Sequence, residues 1–170
     1  YFYYILDKLT MIQAITETGF NIFVQTEDNR INTSVASTQI RHLVKFTNDL
    51  DKSVYYAYGS AETIKDRYTQ ISINYDVTPD MYSGETKLFP AGYWKYEIYE
   101  VSWIGTVTVS AGNAPATEND VLSPVADTKG VVQGLVTKGK MNLSEKDGTQ
   151  QVQYKQREAP TETNYIYYGQ

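Results

Sequence analysis

The chain has 170 residues, with 20 Asp and Glu against 15 Lys and Arg, a single histidine and no cysteine. That length supports one domain with appendages and a real hydrophobic core, and a net charge of −5 speaks against general nucleic-acid binding, which rests on a basic surface. The missing cysteines exclude disulfides, a thiolate nucleophile and zinc knuckles, and one imidazole excludes a multi-histidine metal site.

Residues Tyr1–Thr10 (YFYYILDKLT) are aromatic and apolar and lack a turn signal. They carry neither the basic n-region nor the small-residue cleavage site of a signal peptide. They read as sequence upstream of a natural start at Met11, or as an added strand. Met11–Thr16 is a first strand, closed by Glu17-Thr18-Gly19, and Phe20–Thr26 a second, with Phe20, Ile22 and Val24 on one face. Glu27-Asp28-Asn29 is a polar turn. Ile31–Thr38, rich in Thr and Ser, reads as an edge strand.

Ile40–Asn48 alternates most clearly. Ile40, His42, Val44 and Phe46 share one face; Arg41, Lys45 and Thr47 share the other, with Leu43 its apolar exception. A period of two is the signature of a half-buried strand. Asn48–Asp51 supplies turn chemistry, and Ser53–Tyr58 returns as a hairpin partner. Ala61–Lys65 reads as one helical turn in a crossover between sheets. Arg67–Tyr75 is a strand, Val77–Gly84 a loop and Lys87–Phe89 a short strand.

Tyr93–Trp103 is the longest strand. Trp94, Tyr96 and Ile98 lie on one face and Tyr93, Tyr99, Val101 and Trp103 on the other, which predicts a central strand covered on both sides. Gly105–Ser110 continues as a strand. Ala111–Lys129 is a loop of about twenty residues without periodicity, long for a compact domain and so either functional or mobile. Gly130–Leu143 closes the domain, with Leu135, Met141 and Leu143 on one parity and Gly134 and Gly139 marking a bulge or a close approach. Residues 144–170 form an extended tail ending in Tyr165-Ile166-Tyr167-Tyr168.

The chain contains 19 Thr, 16 Tyr, 14 Val and 12 Ile, the β-branched and aromatic types that suit a pleated surface. About nine short strands with turns every 8 to 12 residues predict an all-β fold, an antiparallel β-sandwich of jelly-roll or immunoglobulin-like type over residues 11–143. No apolar run approaches the roughly 18 to 20 residues of a helical membrane span, so no membrane partner is expected.

Catalytic and cofactor signatures are weak throughout. His42 has no uniquely placed partner and reads as a packed, hydrogen-bonded core histidine. Asp49 and Asp51, like Glu27-Asp28-Asn29, read as turn residues rather than a calcium loop. Glu97 and Glu100 point to opposite faces of one strand and do not form an acid–base pair. No glycine motif cradles a phosphate; no catalytic residue, metal site or cofactor is expected. The sequons at Asn32 and Asn142 match chance in a Thr/Ser-rich chain.

Tyrosine is the anomaly: clusters stand at Tyr55, Tyr56 and Tyr58, at Tyr93, Tyr96 and Tyr99, and at Tyr165, Tyr167 and Tyr168. Tyrosine offers large contact area with a polar tip. The first two clusters suit core and cross-strand packing. Tyr165, Ile166, Tyr167 and Tyr168 form the candidate interface, because a tail has no core of its own.

Four segments in order, IRHLVKFTN (40–48), RYTQISINY (67–75), GETKLFPAGYWKYEIYE (84–100) and the closing strand 132–143, together resemble small β-sandwich proteins encoded among the structural genes of tailed phages. The resemblance points to phages that infect Bacteroidota, of the crAss-like type. The shared pattern is an F-x-N strand, an R-Y strand, a short turn from Leu88 to Gly92 and a Tyr-rich strand ending in Ile98-Tyr99-Glu100. It covers about residues 11–143, while the 111–129 loop and the tail fall outside it.

That resemblance implies a non-enzymatic virion component of the head, neck or tail, present in many copies beside other virion proteins, and it brings no active-site residues. The physical expectation agrees: a sandwich with aromatic ends gains by adding strands and tyrosine area to neighbours. A carbohydrate-binding or host-adhesion module is the alternative, with Trp94, Trp103 and nearby tyrosines as a stacking platform. A hydrolase with dispersed carboxylates is a third reading and needs two acids converging in a cleft, roughly 5 to 9 Å apart.

Overall fold

A computed structural model describes residues 11–147. Two packed sheets are built from nine strands: β1 (Ile12–Ile15), β2 (Phe20–Val24), β3 (Ile40–Asn48), β4 (Val54–Tyr58), β5 (Ala61–Ile64), β6 (Thr69–Tyr75), β7 (Glu85–Thr86), β8 (Gly92–Ser102) and β9 (Val131–Ser144). The larger sheet has the order β1-β9-β8-β3-β4; the smaller is β2-β6-β5, with β7 on β6. No α-helix occurs among the described residues. The all-β sandwich read from composition and periodicity is therefore the fold.

Between the sheets lies the main core. Phe46, Trp94, Ile98 and Met141 of the larger sheet meet Ile22, Ile71 and Ile73 of the smaller, all buried. The edge-on contact of Phe20 with Phe46, ring centroids 5.9 Å apart, ties the two layers together. Alternation explains the division of labour. In β3, Val44 and Phe46 face this core, whereas Leu43 faces the opposite side with Tyr58, Val101 and Trp103 in a second cluster. The apolar exception at Leu43 is thus the mark of a sheet covered on both faces over part of its area.

Two pairings depart from the antiparallel expectation. β1 lies parallel to β9, with Ile12 opposite Met141 and Ile15 opposite Ser144, and β7 lies parallel to β6. Parallel neighbours need a long connection; for β1 and β9 that connection is the whole sandwich. β9 also runs through Ser144, one residue past the expected boundary.

Local expectations fail where side chains take over the backbone's hydrogen bonds. Residues 31–38 are not an edge strand: the amides of Ile31 and Asn32 donate to the carboxylate of Glu100 at 2.9 and 2.8 Å, and those of Ser34 and Ala36 to the side chains of Asn32 and Gln39. The helical turn expected at Ala61–Lys65 is strand β5, because Ser60 donates to the Ser72 carbonyl at 2.8 Å and starts the ladder on β6. The expected crossover between sheets does occur there, from β4 to β5.

The short strand expected at Lys87–Phe89 falls instead at Glu85–Thr86, and Leu88 is buried in the core without a ladder of its own. Gly105–Ser110 is irregular; Gly105 donates to Asp127 of the returning loop at 3.0 Å. In β8 only the end near Val101 and Trp103 is covered on both faces, while Tyr93 stands 60% exposed. Register shifts against β8 move the parity of β9, so Val136 is buried and Leu135 is exposed.

Gly139 is the close approach anticipated in β9. A Cβ there would lie 2.4 to 2.8 Å from the Tyr96 ring and hydroxyl, so the ring lies against bare backbone.

Candidate interaction face

The outer face of the five-stranded sheet is where the unpatterned 111–129 loop acquires a role. β3, β4 and β8 present Leu43, Tyr58 and Val101 outward, with Trp103 just past the end of β8, and residues 104–130 fold over them, bringing Val107, Val109 and Ala114 into the same cluster. Trp103 is fully buried there and its indole N–H donates to the Thr128 carbonyl at 3.2 Å. The Tyr58 hydroxyl donates to the Pro115 carbonyl at 2.6 Å, and its ring stacks on Tyr82, centroids 6.1 Å apart. Gly130 donates to the Asn113 carbonyl at 2.8 Å. The loop is stapled to the sheet at both feet and in the middle.

An ionic clamp holds the middle. The Lys45 ammonium contacts the Glu118 carboxylate and lies 3.8 Å from Glu97, while the Tyr56 hydroxyl donates to Glu118 at 2.6 Å. Burial alone raises the Glu118 carboxyl, but the hydrogen bonds from Lys45 and Tyr56 outweigh it and hold Glu118 below its ordinary value. Its hydrogen bond to Glu118 raises Lys45, against the opposing pull of burial. Burial, then the hydrogen bond to Glu118, pushes Tyr56 up to about 12. Glu97 and Glu118 thus share one ammonium, and Glu118 is held ionised rather than poised to donate a proton.

Outward, this stapled loop is apolar. Val121 is 85% and Val125 83% exposed, and Ile104 and Val131 are exposed as well. Val121, Leu122, Val125, Val131 and Val132 line a groove of about 310 Å³ together with Asp120 and Lys129. A second groove, about 570 Å³, crosses the uncovered end of the same sheet face and is lined by Lys45, Lys95, Glu97, Lys138 and Lys140.

Of the residues singled out from sequence, Tyr165, Ile166, Tyr167 and Tyr168 lie outside the described residues, as do Tyr1–Thr10. His42 is buried, with its Nδ1 2.9 Å from Glu62 of β5 and its backbone amide donating to the same carboxylate at 2.9 Å. Asn48 and Asp51 are turn residues: Asn48 accepts from the Leu50 and Asp51 amides, and Asp51 accepts from the Ser53 amide and hydroxyl. Those Ser53 hydrogen bonds lower Asp51, and a hydrogen bond from Lys140 lowers Asp49.

Glu97 and Glu100 occupy different environments, the clamp and the backbone of residues 31–32. Trp94 and Trp103 are both fully buried, so neither ring can stack on a sugar. Glu118 escaped sequence reasoning because nothing periodic surrounds it; the signals were Leu43 and the aromatic outer face of β8, which require a cover.

No family model matches the chain, and no curated protein matches it. Among solved structures, a Bacteroides vulgatus protein described as a "putative glycoside hydrolase" aligns with a TM-score of 0.36 and 10% identity. The alignment covers 79% of this chain and 16% of that protein, so the chain spans about a sixth of its length. A likeness at that level says nothing about this chain's activity.

Proposed function

We propose that this chain is a non-enzymatic virion structural protein of the tailed-phage type, docking on neighbouring virion proteins in many copies. One observation carries the docking part of the reading: the 104–130 segment is fastened to the sandwich by Tyr58, Trp103 and the Lys45–Glu118–Tyr56 clamp, yet presents Val121 and Val125 to solvent. A loop ordered at that entropic cost with its valines outward is pre-organised for a partner surface. The virion part rests on the strand-pattern resemblance over residues 11–143.

The burial of Trp94 and Trp103 takes both indoles out of the stacking platform that a carbohydrate-binding reading calls for. The reading is tested by mass spectrometry of purified particles. The chain is expected at a fixed stoichiometry to the major coat or tail protein, and its absence from particles rejects a virion role.

A further inference from the structure

The groove of about 570 Å³ on the outer face of the larger sheet is set apart by its charge. β8 presents Tyr93, Lys95 and Glu97 outward, and β9 sets Asn142, Lys140 and Lys138 directly opposite them. On the other side of β8, Lys45 of β3 lies opposite Glu97. Four lysines thus line one groove of a chain whose net charge is −5. Among the described residues, the carboxylates paired with them are Glu97 and Glu118 at Lys45 and Asp49 at Lys140, which leaves the face positive.

Lys95 and Lys140 face each other across the ladder, and both are exposed. Like charges directly opposite one another destabilise a strand pair. Asp49 offsets part of that repulsion through its contact with Lys140. An anion held by Lys95, Lys138 and Lys140 together offsets the rest. Strand spacing and rise root these three side chains roughly 5 to 8 Å apart, close enough for their ammoniums to converge on the charged groups of one ligand.

The neighbouring side chains select the kind of anion. Tyr93, two residues before Lys95 on the same face, is 60% exposed and offers a flat ring with a hydroxyl at its tip. Opposite Tyr93, Asn142 donates to Gln13 of β1 at 3.2 Å, which places amide donors and acceptors beside the ring. β8 is bonded on both sides, to β3 and to β9, so its backbone is used in the ladders and a ligand here meets side chains. An acidic peptide docks on a sheet chiefly through main-chain hydrogen bonds at an edge, and a long nucleic acid is repelled by the rest of an acidic chain. A short acidic saccharide matches every group present: the ring takes its apolar face, the amides its hydroxyls and the lysines its charge.

We infer that this face binds an acidic oligosaccharide, one bearing uronate carboxylates or sulfate esters. Lys95, Lys138 and Lys140 hold the anionic groups and Tyr93 the sugar ring. The groove shares no lining residue with the one beside Val121 and Val125, so the two surfaces succeed or fail separately.

The test titrates the full chain calorimetrically at low salt, where exposed charges are least screened. Galacturonate hexamers and sulfated galactan hexamers serve as probes and separate the two sources of charge. Binding of at least one is expected, with affinity at least about tenfold lower in Lys95→Gln/Lys138→Gln. Both lysines are exposed, so melting should stay unchanged. Tyr93→Ala keeps every charge and should weaken binding about three- to tenfold. Uncharged, methyl-esterified galacturonate hexamers should not bind. Failure of both acidic hexamers to bind at about 1 mM overturns the inference, as does undiminished binding by either variant. Equal or tighter binding of a glutamate hexapeptide or a single-stranded hexanucleotide overturns it too, and would make the face a site for an acidic protein or a nucleic acid.

Discussion

On the inner face of the five-stranded sheet, Phe46, Trp94 and Ile98 meet side chains delivered by regular strands. On the outer face, Leu43, Tyr58 and Trp103 meet a segment with no regular structure at all. The inner side follows from alternation: once β2 and β6 pair, every second residue is delivered to the core. The outer side has no such periodic supply, and its cover is fixed by individual hydrogen bonds and one ionic clamp. Failure of the first region should therefore unfold the domain, whereas failure at the clamp should release a surface layer.

The largest effect is expected at Trp94. It is fully buried and its indole N–H donates to the Pro90 carbonyl at 3.1 Å. Trp94→Ala should cost about 3 to 5 kcal/mol in denaturant unfolding, enough to unfold a domain of marginal stability. A loss below about 1 kcal/mol would show that the inner face is not the dominant core.

A smaller loss is expected at Gly139, where any Cβ meets the Tyr96 ring. Gly139→Val should cost about 1 to 3 kcal/mol through overpacking, read by the same unfolding curve. Tyr96→Phe in that background should recover part of the loss, since the hydroxyl is the closest atom.

Smaller still is the clamp. Glu118→Gln should lower global stability by no more than about 1 kcal/mol, while amide exchange in 105–130 rises and the inner strands stay protected. The pH dependence has a definite sign. Glu118 is lowered, so its contribution is present above its ordinary value of 4.5 and lost as pH falls below it. Lys45 is raised, so its contribution is present below 10.5 and lost as pH rises beyond. Tyr56 adds an alkaline loss between 10.0 and about 12. Loop exchange should therefore accelerate on acidification below about pH 4.5, and that acid step should vanish in Glu118→Gln. A step of equal size in the variant would place the cause elsewhere.

The same contrast explains how much was legible in the sequence. β3 is legible from Ile40 to Asn48, because its side chains alternate and its turn carries Asn and Asp. β5 is not legible in the sequence, because Ala61-Glu62-Thr63-Ile64 has no clear period and its strand state comes from the ladder with β6. Residues 31–38 have strand composition, but the Glu100 carboxylate, nearly seventy residues away, captures two of their amides. The outer layer was foreshadowed only by Leu43 and by the aromatic second face of β8. Its covering segment has neither period nor motif, so the partnership of Glu118 with Lys45 and Tyr56 is visible only in three dimensions.

The central claim is that the stapled loop is a docking surface, and it is tested most directly by competing parent and Val121→Ser/Val125→Ser chains for incorporation into assembling particles. Both valines are more than four-fifths exposed, so melting should stay within about 0.5 kcal/mol of the parent. Burial against a partner is worth about 1.5 to 3 kcal/mol per valine, so incorporation of the variant should fall at least about tenfold. Equal incorporation of the two chains, with stability unchanged, would contradict the account.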